Sequence, residues 1–235
     1  APDIVCLQEI KSVDEGFPGE AFERLGYNVT THGQKGFNGV AILSKRPLED
    51  AVRGLDGAPD DVQARYIEGL VPTDNGGIVR VASIYLPNGN PIDTEKFPYK
   101  LAWAERLIAR AEELLALEEL TVLAGDYNVI PDPIDAKKPE AWTNDALFQP
   151  ESRAFYRRLQ MLGFVDAVRA TTDEPSYTFW DYQAGAWQRN NGIRIDHMLL
   201  SPQAADKLDG VTIDRHVRGW EKPSDHVPVI VTLSV

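Results

Sequence analysis

Short apolar runs bounded by polar or turn-forming residues recur along the whole chain. Several of these runs are almost continuously apolar, which is typical of strands whose sheet is covered on both faces. The pattern predicts strands at Ile4–Leu7, Val40–Leu43, Ile78–Tyr85, Leu120–Ala124, Ile193–Leu200, Val211–Ile213 and Val227–Leu233.

Two stretches show the three-and-four spacing of apolar residues that is typical of an amphipathic helix. The longer stretch contains Leu101, Ala104, Leu107, Ile108, Ala111, Leu114 and Leu115. The shorter one contains Phe155, Leu159 and Leu162, and Gly163 just past its end is a typical helix terminator.

Glycine- and proline-rich segments predict loops at 54–61, 74–77 and 87–91, and a longer excursion at 131–144. Long loops in compact domains are more often functional than idle. Strands and helices alternate without a repeat or a linker between them. The sequence therefore predicts a single α/β domain over residues 1–235, with two packed sheets and helices outside them.

Composition supports a globular domain. The chain is 43% hydrophobic and 26% charged, which suits a substantial buried core. No apolar stretch approaches the roughly 20 residues that cross a bilayer, so we expect no membrane segment. The lone Cys6 can form no internal disulfide, which favours a reducing, cytoplasmic compartment and a buried, unreactive thiol.

The formal net charge of −12 argues at first against a nucleic-acid partner, because duplex binding uses Lys and Arg contacts to phosphate. Net charge describes the whole molecule, however, whereas binding is local. A metal-dependent nuclease concentrates carboxylates in its cleft, and an acidic helix can carry surplus charge on a distant face. The acidic positions of that helix are Glu112, Glu113, Glu118 and Glu119.

The segment Gly125-Asp126-Tyr127-Asn128 directly follows a predicted strand. Positions two apart on an extended chain point the same way, so we expect Asp126 and Asn128 to project together. A carboxylate there can orient or deprotonate water, and an amide can hold a phosphate. An Asp-x-Asn sequence after a strand is also a common turn.

Two further polar groups flank predicted strands. Glu9 follows the strand at Ile4–Leu7, where a carboxylate is costly to bury unless it is paired or bound to a hard cation such as Mg²⁺. A solvated glutamate is an equal alternative. Asp225 and His226 precede the last strand, and Asp196 lies on another. A histidine held by a carboxylate has a fixed tautomer and can face an anionic substrate, although such pairs are also common on surfaces.

Together, these residues in this chain order resemble the endonuclease/exonuclease/phosphatase superfamily, and within it the exonuclease III-type apurinic/apyrimidinic endonucleases. The resemblance runs from Ala1 to Val235. The stretches that carry it are Leu7-Gln8-Glu9-Ile10-Lys11, His32-Gly33-Gln34-Lys35-Gly36, Gly39-Val40-Ala41-Ile42-Leu43-Ser44, Tyr85-Leu86-Pro87-Asn88-Gly89, Lys96-Phe97, Phe179-Trp180-Asp181-Tyr182, Gly192-Ile193-Arg194-Ile195-Asp196 and Lys222-Pro223-Ser224-Asp225-His226. It implies a four-layer α/β/β/α sandwich with two packed mixed sheets.

The resemblance also implies roles for individual residues. Glu9 is expected to be the principal metal carboxylate, and Asp225 a second-site or water-mediated metal contact. Asp126 is expected to activate the attacking water beside Asn128. The implied phosphate contacts are Tyr85, Asn88 and His226, with His226 oriented by Asp196. The implied pocket for an extrahelical abasic sugar contains Phe179, Trp180, Ile193 and Ile195, for which core packing is the alternative. Candidate backbone clamps are Lys35, Arg65, Lys137, Lys138 and Arg189.

The activity implied is cleavage of duplex DNA 5′ to abasic sites and removal of nucleotides or blocking groups from 3′ ends, by a monomer that uses Mg²⁺ or Mn²⁺. The alternatives are a superfamily phosphoesterase that acts on RNA, lipid or inositol phosphates, and an inactive fragment that binds DNA or a protein. Family members begin with a strand that bears a Trp-Asn or similar pair, and the asparagine helps to hold the metal. Ala1 follows that position, so we expect the first strand of the fold to be missing and a neighbouring sheet edge to be exposed.

Overall fold

The computed structural model describes residues 1–235. Its strands are β1 (Ile4–Gln8), β2 (Asn28–His32), β3 (Val40–Ser44), β4 (Glu49–Arg53), β5 (Tyr66–Pro72), β6 (Ile78–Tyr85), β7 (Thr121–Asp126), β8 (Val165–Asp166), β9 (Asp196–Leu200), β10 (Leu208–Ile213) and β11 (Val229–Leu233). Its helices are α1 (Gly19–Glu23), α2 (Lys96–Ala116), α3 (Pro150–Leu162) and α4 (Pro202–Ala205). The excursion at 131–144 contains two short 3₁₀ turns, Pro133–Asp135 and Pro139–Trp142.

A mixed sheet with the strand order β4-β5-β6-β7-β9-β8 forms the centre of the molecule. Its β6–β7 pair is parallel and the others are antiparallel. Parallel neighbours need a crossover connection, which is supplied here by α2. As a result β6 and β7 end at the same edge, where Tyr85 and Asp126 are paired in register.

The two faces of the central sheet are covered by different layers. In β6, Val79 and Val81 face the antiparallel β1-β3-β2 sheet and the separate β10–β11 pair, whereas Ala82 and Ile84 face α2 and α3. Side chains that alternate along a strand explain why this strand is apolar almost throughout. Gly163 ends α3 with a φ of 127°, as its position in the sequence predicts.

The predicted α/β fold with packed sheets and outer helices is confirmed, with several corrections. The smaller sheet is antiparallel rather than mixed, and β10–β11 form a sheet of their own. The runs predicted at Ile193–Leu200 and Val227–Leu233 are paired strands only from Asp196 and Val229. Burial alternates along β11, so the prediction of a strand covered on both faces is wrong there.

Four strands escaped the sequence pattern. β8 has only two residues, and polar residues interrupt the other three. β2 reads Asn-Val-Thr-Thr-His, and every residue of β4 is exposed. β5 is largely buried yet contains Glu68. This charged residue interrupts the apolar run, so the hydrophobic pattern does not identify the strand.

A buried ionic cluster ties α2 to the central sheet. Glu68 is fully buried and accepts hydrogen bonds from Arg80 Nη1 on β6 and Arg110 Nε on α2, each at 3.2 Å. The Tyr66 hydroxyl donates to the same carboxylate. Arg80 Nε also donates to Glu119 at 2.6 Å. Because an unpaired charge is very costly in a core, this cluster fixes the position of α2 on the sheet.

No helix of the protein combines the length and apolarity required to span a membrane. Burial raises the pKa of the Cys6 thiol to about 12. The thiolate is the nucleophilic form of cysteine, so this thiol is unreactive at neutral pH, as the sequence predicts.

We expect Glu68→Gln to lower the free energy of unfolding by about 3 kcal/mol, because it leaves two arginines beside a neutral side chain in the core. Glu119→Gln is the matched control. The Glu119 side chain is 37% exposed, so its loss should cost no more than about 1 kcal/mol. Urea unfolding followed by circular dichroism measures both variants, and equal losses would contradict the central role of Glu68.

Candidate active site

Neighbouring strands bring three predicted site residues to one edge of the central sheet. Asp126 at the end of β7 pairs with Tyr85 of β6 on one side and with Asp196 of β9 on the other. Isolated bridges join Phe179 to both Ile193 and His226. These bridges bring the last polar motif against the same edge, so residues that are distant in the chain share one site.

Gly125 allows β7 to approach β6 closely at this point. A Cβ atom there would lie 1.9 Å from the carbonyl oxygen of Ile84, and the φ of Gly125 is +151°. No other residue has both the space and the conformational freedom for this position. The glycine of the Gly-Asp-Tyr-Asn motif is thus required by the backbone that presents Asp126.

Asp126 and Asn128 form a closed hydrogen-bonded turn. The Asn128 backbone N–H donates to Asp126 Oδ1 at 2.8 Å, and Asn128 Nδ2 lies 3.2 Å from Asp126 Oδ2. Asn88 Nδ2 donates to Asn128 Oδ1 at 3.1 Å. The two motif side chains do come together as predicted. The cause is a turn in which Asn128 has a φ of 46°, not the alternation of an extended strand.

The Asp126 carboxyl group has a strongly raised pKa. Burial is the main cause, since Asp126 is only 4% exposed, and the Asp196 carboxylate raises the pKa further. The positive charge of His226 opposes both effects. A carboxylate whose pKa is raised in this way can accept a proton near neutral pH.

His226 is held by a carboxylate on β9. Its Nδ1 lies 2.9 and 3.0 Å from the two oxygens of Asp196. The backbone N–H of Asp196 donates in turn to Thr178 Oγ1 at 3.2 Å. Burial by itself lowers the pKa of His226, but the Asp196 charge and hydrogen bond outweigh it and raise the pKa to about 10. His226 is therefore a cation at neutral pH, with Nε2 free to donate.

Glu9 lies beside Tyr85, where β1 meets the site. The Tyr85 hydroxyl donates to Glu9 Oε1 at 2.9 Å, and Lys11 Nζ lies 2.7 Å from Oε2. Burial raises the pKa of Glu9, but its contacts with Lys11 and Tyr85 lower it overall, so Glu9 is ionised. Burial raises the pKa of Tyr85, which stays a neutral donor. Arg65 stacks over the Tyr85 ring at 4.8 Å and is not a free clamp.

The closest group of potential metal-binding side chains is not the predicted one. Ligand atoms of Asp126, Asp196 and His226 lie within 4.8 Å of one another, whereas Glu9 and Asp225 lie outside this group. The Asp196 oxygens of this group are already engaged by His226 Nδ1, so we interpret the triad as a hydrogen-bonded group that carries a proton. The negative charges of Glu9 and Asp225 both raise the pKa of Lys11. The oxygen donors of these two carboxylates fit Mg²⁺ or Mn²⁺.

The predicted apolar pocket is mostly core. Trp180 is fully buried and donates from Nε1 to Asn190 at 3.2 Å. Ile193 and Ile195 are 2% and 3% exposed and pack with Ile130, Ala136 and Leu147. Core packing, the alternative reading, describes these three residues. Phe179 is half-buried, and its ring lies 5.0 Å from that of His226.

The basic loop residues are mostly exposed. Lys35 lies in a loop that reaches the site, because the neighbouring Gly36 N–H donates to Lys11 O at 3.3 Å. Lys137, Lys138 and Arg189 are also exposed. Neither Lys11 nor Lys100 was among the predicted site residues. Both positions could have been noticed in the sequence. Lys11 is two positions after Glu9, and Lys100 is a charged residue on the apolar face of α2.

We expect Asp196→Asn to lower the pKa of His226 toward the ordinary histidine value of about 6.5, because it removes the charge that raises it. NMR titration of the His226 ring in metal-free buffer measures the change, with Asp209→Asn on exposed β10 as the control. The pair stabilises the fold fully below about pH 6.5 and loses that contribution as the pH rises toward 10. An unchanged pKa in Asp196→Asn would mean that other groups hold the proton.

Comparison with known proteins agrees with this arrangement. Exodeoxyribonuclease III of Haemophilus influenzae is 36% identical over 241 residues, which cover 97% of this chain and 88% of the relative. An AP endonuclease from Archaeoglobus fulgidus superposes with a TM-score of 0.92 at 39% identity, covering 100% of this chain and 90% of that one.

The 3′ phosphatase NExo from Neisseria, solved with a product DNA hairpin, superposes with a TM-score of 0.93 at 36% identity, again covering 100% of this chain and 90% of the other. Residues 1–226 match the model of the Endonuclease/Exonuclease/phosphatase family. With its sheets, its strand-end carboxylates and its aspartate-held histidine in this arrangement, the chain belongs to the endonuclease/exonuclease/phosphatase family.

Proposed function

We propose that this protein is a divalent-metal-dependent DNA phosphodiesterase that incises duplex DNA 5′ to abasic sites and removes nucleotides or blocking groups from 3′ ends. The observation that carries the proposal is the placement of a buried carboxyl group of raised pKa, Asp126, within 4.8 Å of the aspartate-held histidine His226, at one edge of the central sheet. Relatives with this fold are named as exodeoxyribonucleases and AP endonucleases.

The scissile phosphate would be bound by a set of hydrogen-bond donors. His226 offers a charged donor whose ring is held by Asp196, and Asn88 offers an amide N–H that is held in place by its hydrogen bond to Asn128. Tyr85, on the other side of Asp126, is a neutral hydroxyl donor that would exchange its hydrogen bond to Glu9 for one to the phosphate. Donors fixed in advance stabilise charge that develops on phosphate oxygens without reorganising during the reaction.

Asp126 would orient the attacking water and take its proton. Its carboxylate is held by two hydrogen bonds from Asn128 and has a ligand atom within 4.8 Å of those of Asp196 and His226. A general base works best when its pKa lies near the working pH, and burial shifts Asp126 in that direction. The proton passes from water to Asp126 as the water oxygen attacks phosphorus, and the 3′ oxygen leaves.

Glu9 and Asp225 would hold the metal ion. A bound Mg²⁺ or Mn²⁺ supplies Lewis-acid stabilisation of negative charge on the phosphate. Glu9 is ionised and lies at the open mouth of the site, which suits a ligand to an exchangeable cation. Lys11 neutralises part of the Glu9 charge through their contact at 2.7 Å.

Recognition of the substrate would use the loops around this edge. Phe179 has an accessible face beside His226, which suits contact with a sugar turned out of the duplex. Lys35 in the neighbouring loop, with Lys137 and Lys138, would contact backbone phosphates despite the net charge of −12. We propose that the protein acts as a monomer in the cytoplasm.

A duplex that contains one abasic site tests this function directly. Cleavage 5′ to the site with Mg²⁺ or Mn²⁺, abolished by EDTA and absent on an intact duplex, is the expected result. A nicked duplex with a 3′ phosphate tests removal of 3′ blocking groups in the same assay. Hydrolysis of RNA, inositol phosphates or phospholipids with no cleavage of DNA would instead favour a different phosphoesterase activity.

We expect Asp126→Asn and His226→Ala each to lower single-turnover cleavage by about two decades or more, because positioned proton-transfer groups contribute about 10²–10⁴. DNA affinity should change little, since neither side chain is a major part of the binding surface. Asp209→Asn removes an equal charge from exposed β10 and should cleave at the wild-type rate. Near-wild-type cleavage by either site variant would remove that residue from the mechanism.

We expect Glu9→Gln to weaken Mg²⁺ binding while DNA affinity is retained, because it removes a charged oxygen ligand and leaves the basic loops intact. Isothermal titration with Mg²⁺ measures the first quantity, and fluorescence anisotropy of a labelled abasic duplex in EDTA measures the second. Glu15→Gln, at an exposed position nearby, is the matched control. Unchanged Mg²⁺ affinity in Glu9→Gln would place the metal elsewhere.

A further inference from the structure

A lysine is buried directly beneath the site. Lys100 lies in the second turn of α2 and is 1% exposed. Its ammonium group donates to the backbone carbonyl of Asn88 at 3.0 Å and to the backbone carbonyl of Asn128. Lysine is almost never fully buried unless it is paired, and the partners of this one are backbone carbonyls rather than carboxylates. Burial lowers the pKa of Lys100 to about 7, and its Nζ can donate to both carbonyls in either protonation state.

The two carbonyls that Lys100 binds belong to the two residues whose amides are joined above it. Asn88 Nδ2 donates to Asn128 Oδ1 at 3.1 Å. Asn128 is also bound through its backbone N–H to Asp126. The ammonium of Lys100 therefore fixes the peptide groups of both amide residues, while Asp126 fixes Asn128 from the opposite side.

This anchoring offsets a strained backbone. Asn128 has a φ of 46°, a left-handed conformation that few residues other than glycine adopt and that asparagine tolerates better than most. Gly89 makes room for the lysine, because a Cβ atom at that position would lie 2.6 Å from Lys100 Cδ. Lys100 thus joins three segments at its Nζ: the loop after β6, the turn after β7 and the start of α2.

We propose that Lys100 is a positioning residue for phosphodiester cleavage, which sets the Asn88 and Asn128 amides and, through Asn128, the carboxylate of Asp126. The inference rests on the proposed function and extends it to a side chain that does not touch the substrate. Because its target is the geometry of donors, Lys100 acts on turnover rather than on affinity for DNA.

The test is a double-mutant cycle between Lys100→Met and Asn128→Ala. Methionine keeps the length and the apolar stem of lysine but has no donor. We expect Lys100→Met to lower kcat for the abasic duplex by about ten- to a hundredfold, the effect of losing charged buried hydrogen bonds. KM and Kd for DNA should stay within about twofold. In the Asn128→Ala background, the same change should cost less than about threefold, because its target is gone.

Controls separate positioning from stability. Arg80→Met removes a buried cation on β6 but keeps the Glu68–Arg110 contact that ties α2 to the sheet, so it should lower the urea midpoint without lowering kcat. Lys100→Arg, which retains charged donors, should recover part of the loss. If circular dichroism shows Lys100→Met unfolded at the assay temperature, the cycle is run with Lys100→Gln. An unchanged kcat in Lys100→Met would overturn the proposal, as would an equal loss of kcat in Arg80→Met. The proposal would also be wrong if Lys100→Met lowered kcat by the same factor with and without Asn128→Ala.

A second measurement keeps this proposal separate from the proposed function. The cleavage rate of Asn128→Ala alone and the metal dependence of the wild-type protein test the proposed function itself. The side-chain amide NMR signals of Asn88 and Asn128 report on the lysine without any substrate. They should shift in Lys100→Met and stay in place in Arg80→Met. Amide signals that do not move would overturn the role of Lys100 even if the protein cleaves DNA as proposed.

Discussion

The buried guanidinium group of Arg194 must be paired with carboxylates inside the protein, and the architecture of the site depends on this constraint. Arg194 is fully buried, donates from Nε to Asp135 at 2.7 Å and from Nη1 to Asp166 at 2.8 Å. These partners come from the 131–144 excursion and from β8. Removing any one of them would leave a desolvated charge, so the three segments are obliged to meet.

That meeting point determines where His226 is held. Arg194 is two residues before Asp196, and its backbone N–H donates to Asp135 O at 2.8 Å. The segment therefore enters β9 at a fixed position, and Asp196 is directed at His226. The Glu68 cluster fixes α2 on the same sheet in the same way. Rigid ionic supports thus surround a site whose own groups, Asp126 and His226, have pKa values displaced from their ordinary ranges.

The sequence located the residues that the structure brings together better than it located their supports. Asp126, Asn128 and His226 stand in short motifs at strand ends, where pairing in a sheet brings them together. Lys100 left only a polar position on an apolar helix stripe, and its purpose depends on two backbone carbonyls that no sequence pattern reports. Trp180 illustrates the opposite error, since its place in a characteristic motif suggested contact with substrate while the folded chain buries it completely.

The same distinction holds for the fold. Apolar runs located β3 and β6 because burial there is continuous. β5 was missed because Glu68 makes its sequence look polar, and the cations that neutralise Glu68 come from residues 12 and 42 positions away. Periodicity carries information about local burial, whereas a compensated charge in the core depends on tertiary contacts.

The site is assembled from contacts between residues far apart in the chain. Tyr85 and Glu9 are 76 positions apart, and His226 is 30 positions from the aspartate that holds it. Long-range contacts of this kind form late, after loop-closure entropy has been overcome. A refolding chain can therefore regain most of its helix content, since α2 and α3 are local, while it is still inactive. Recovery of cleavage would report the final docking step of folding, which circular dichroism does not resolve.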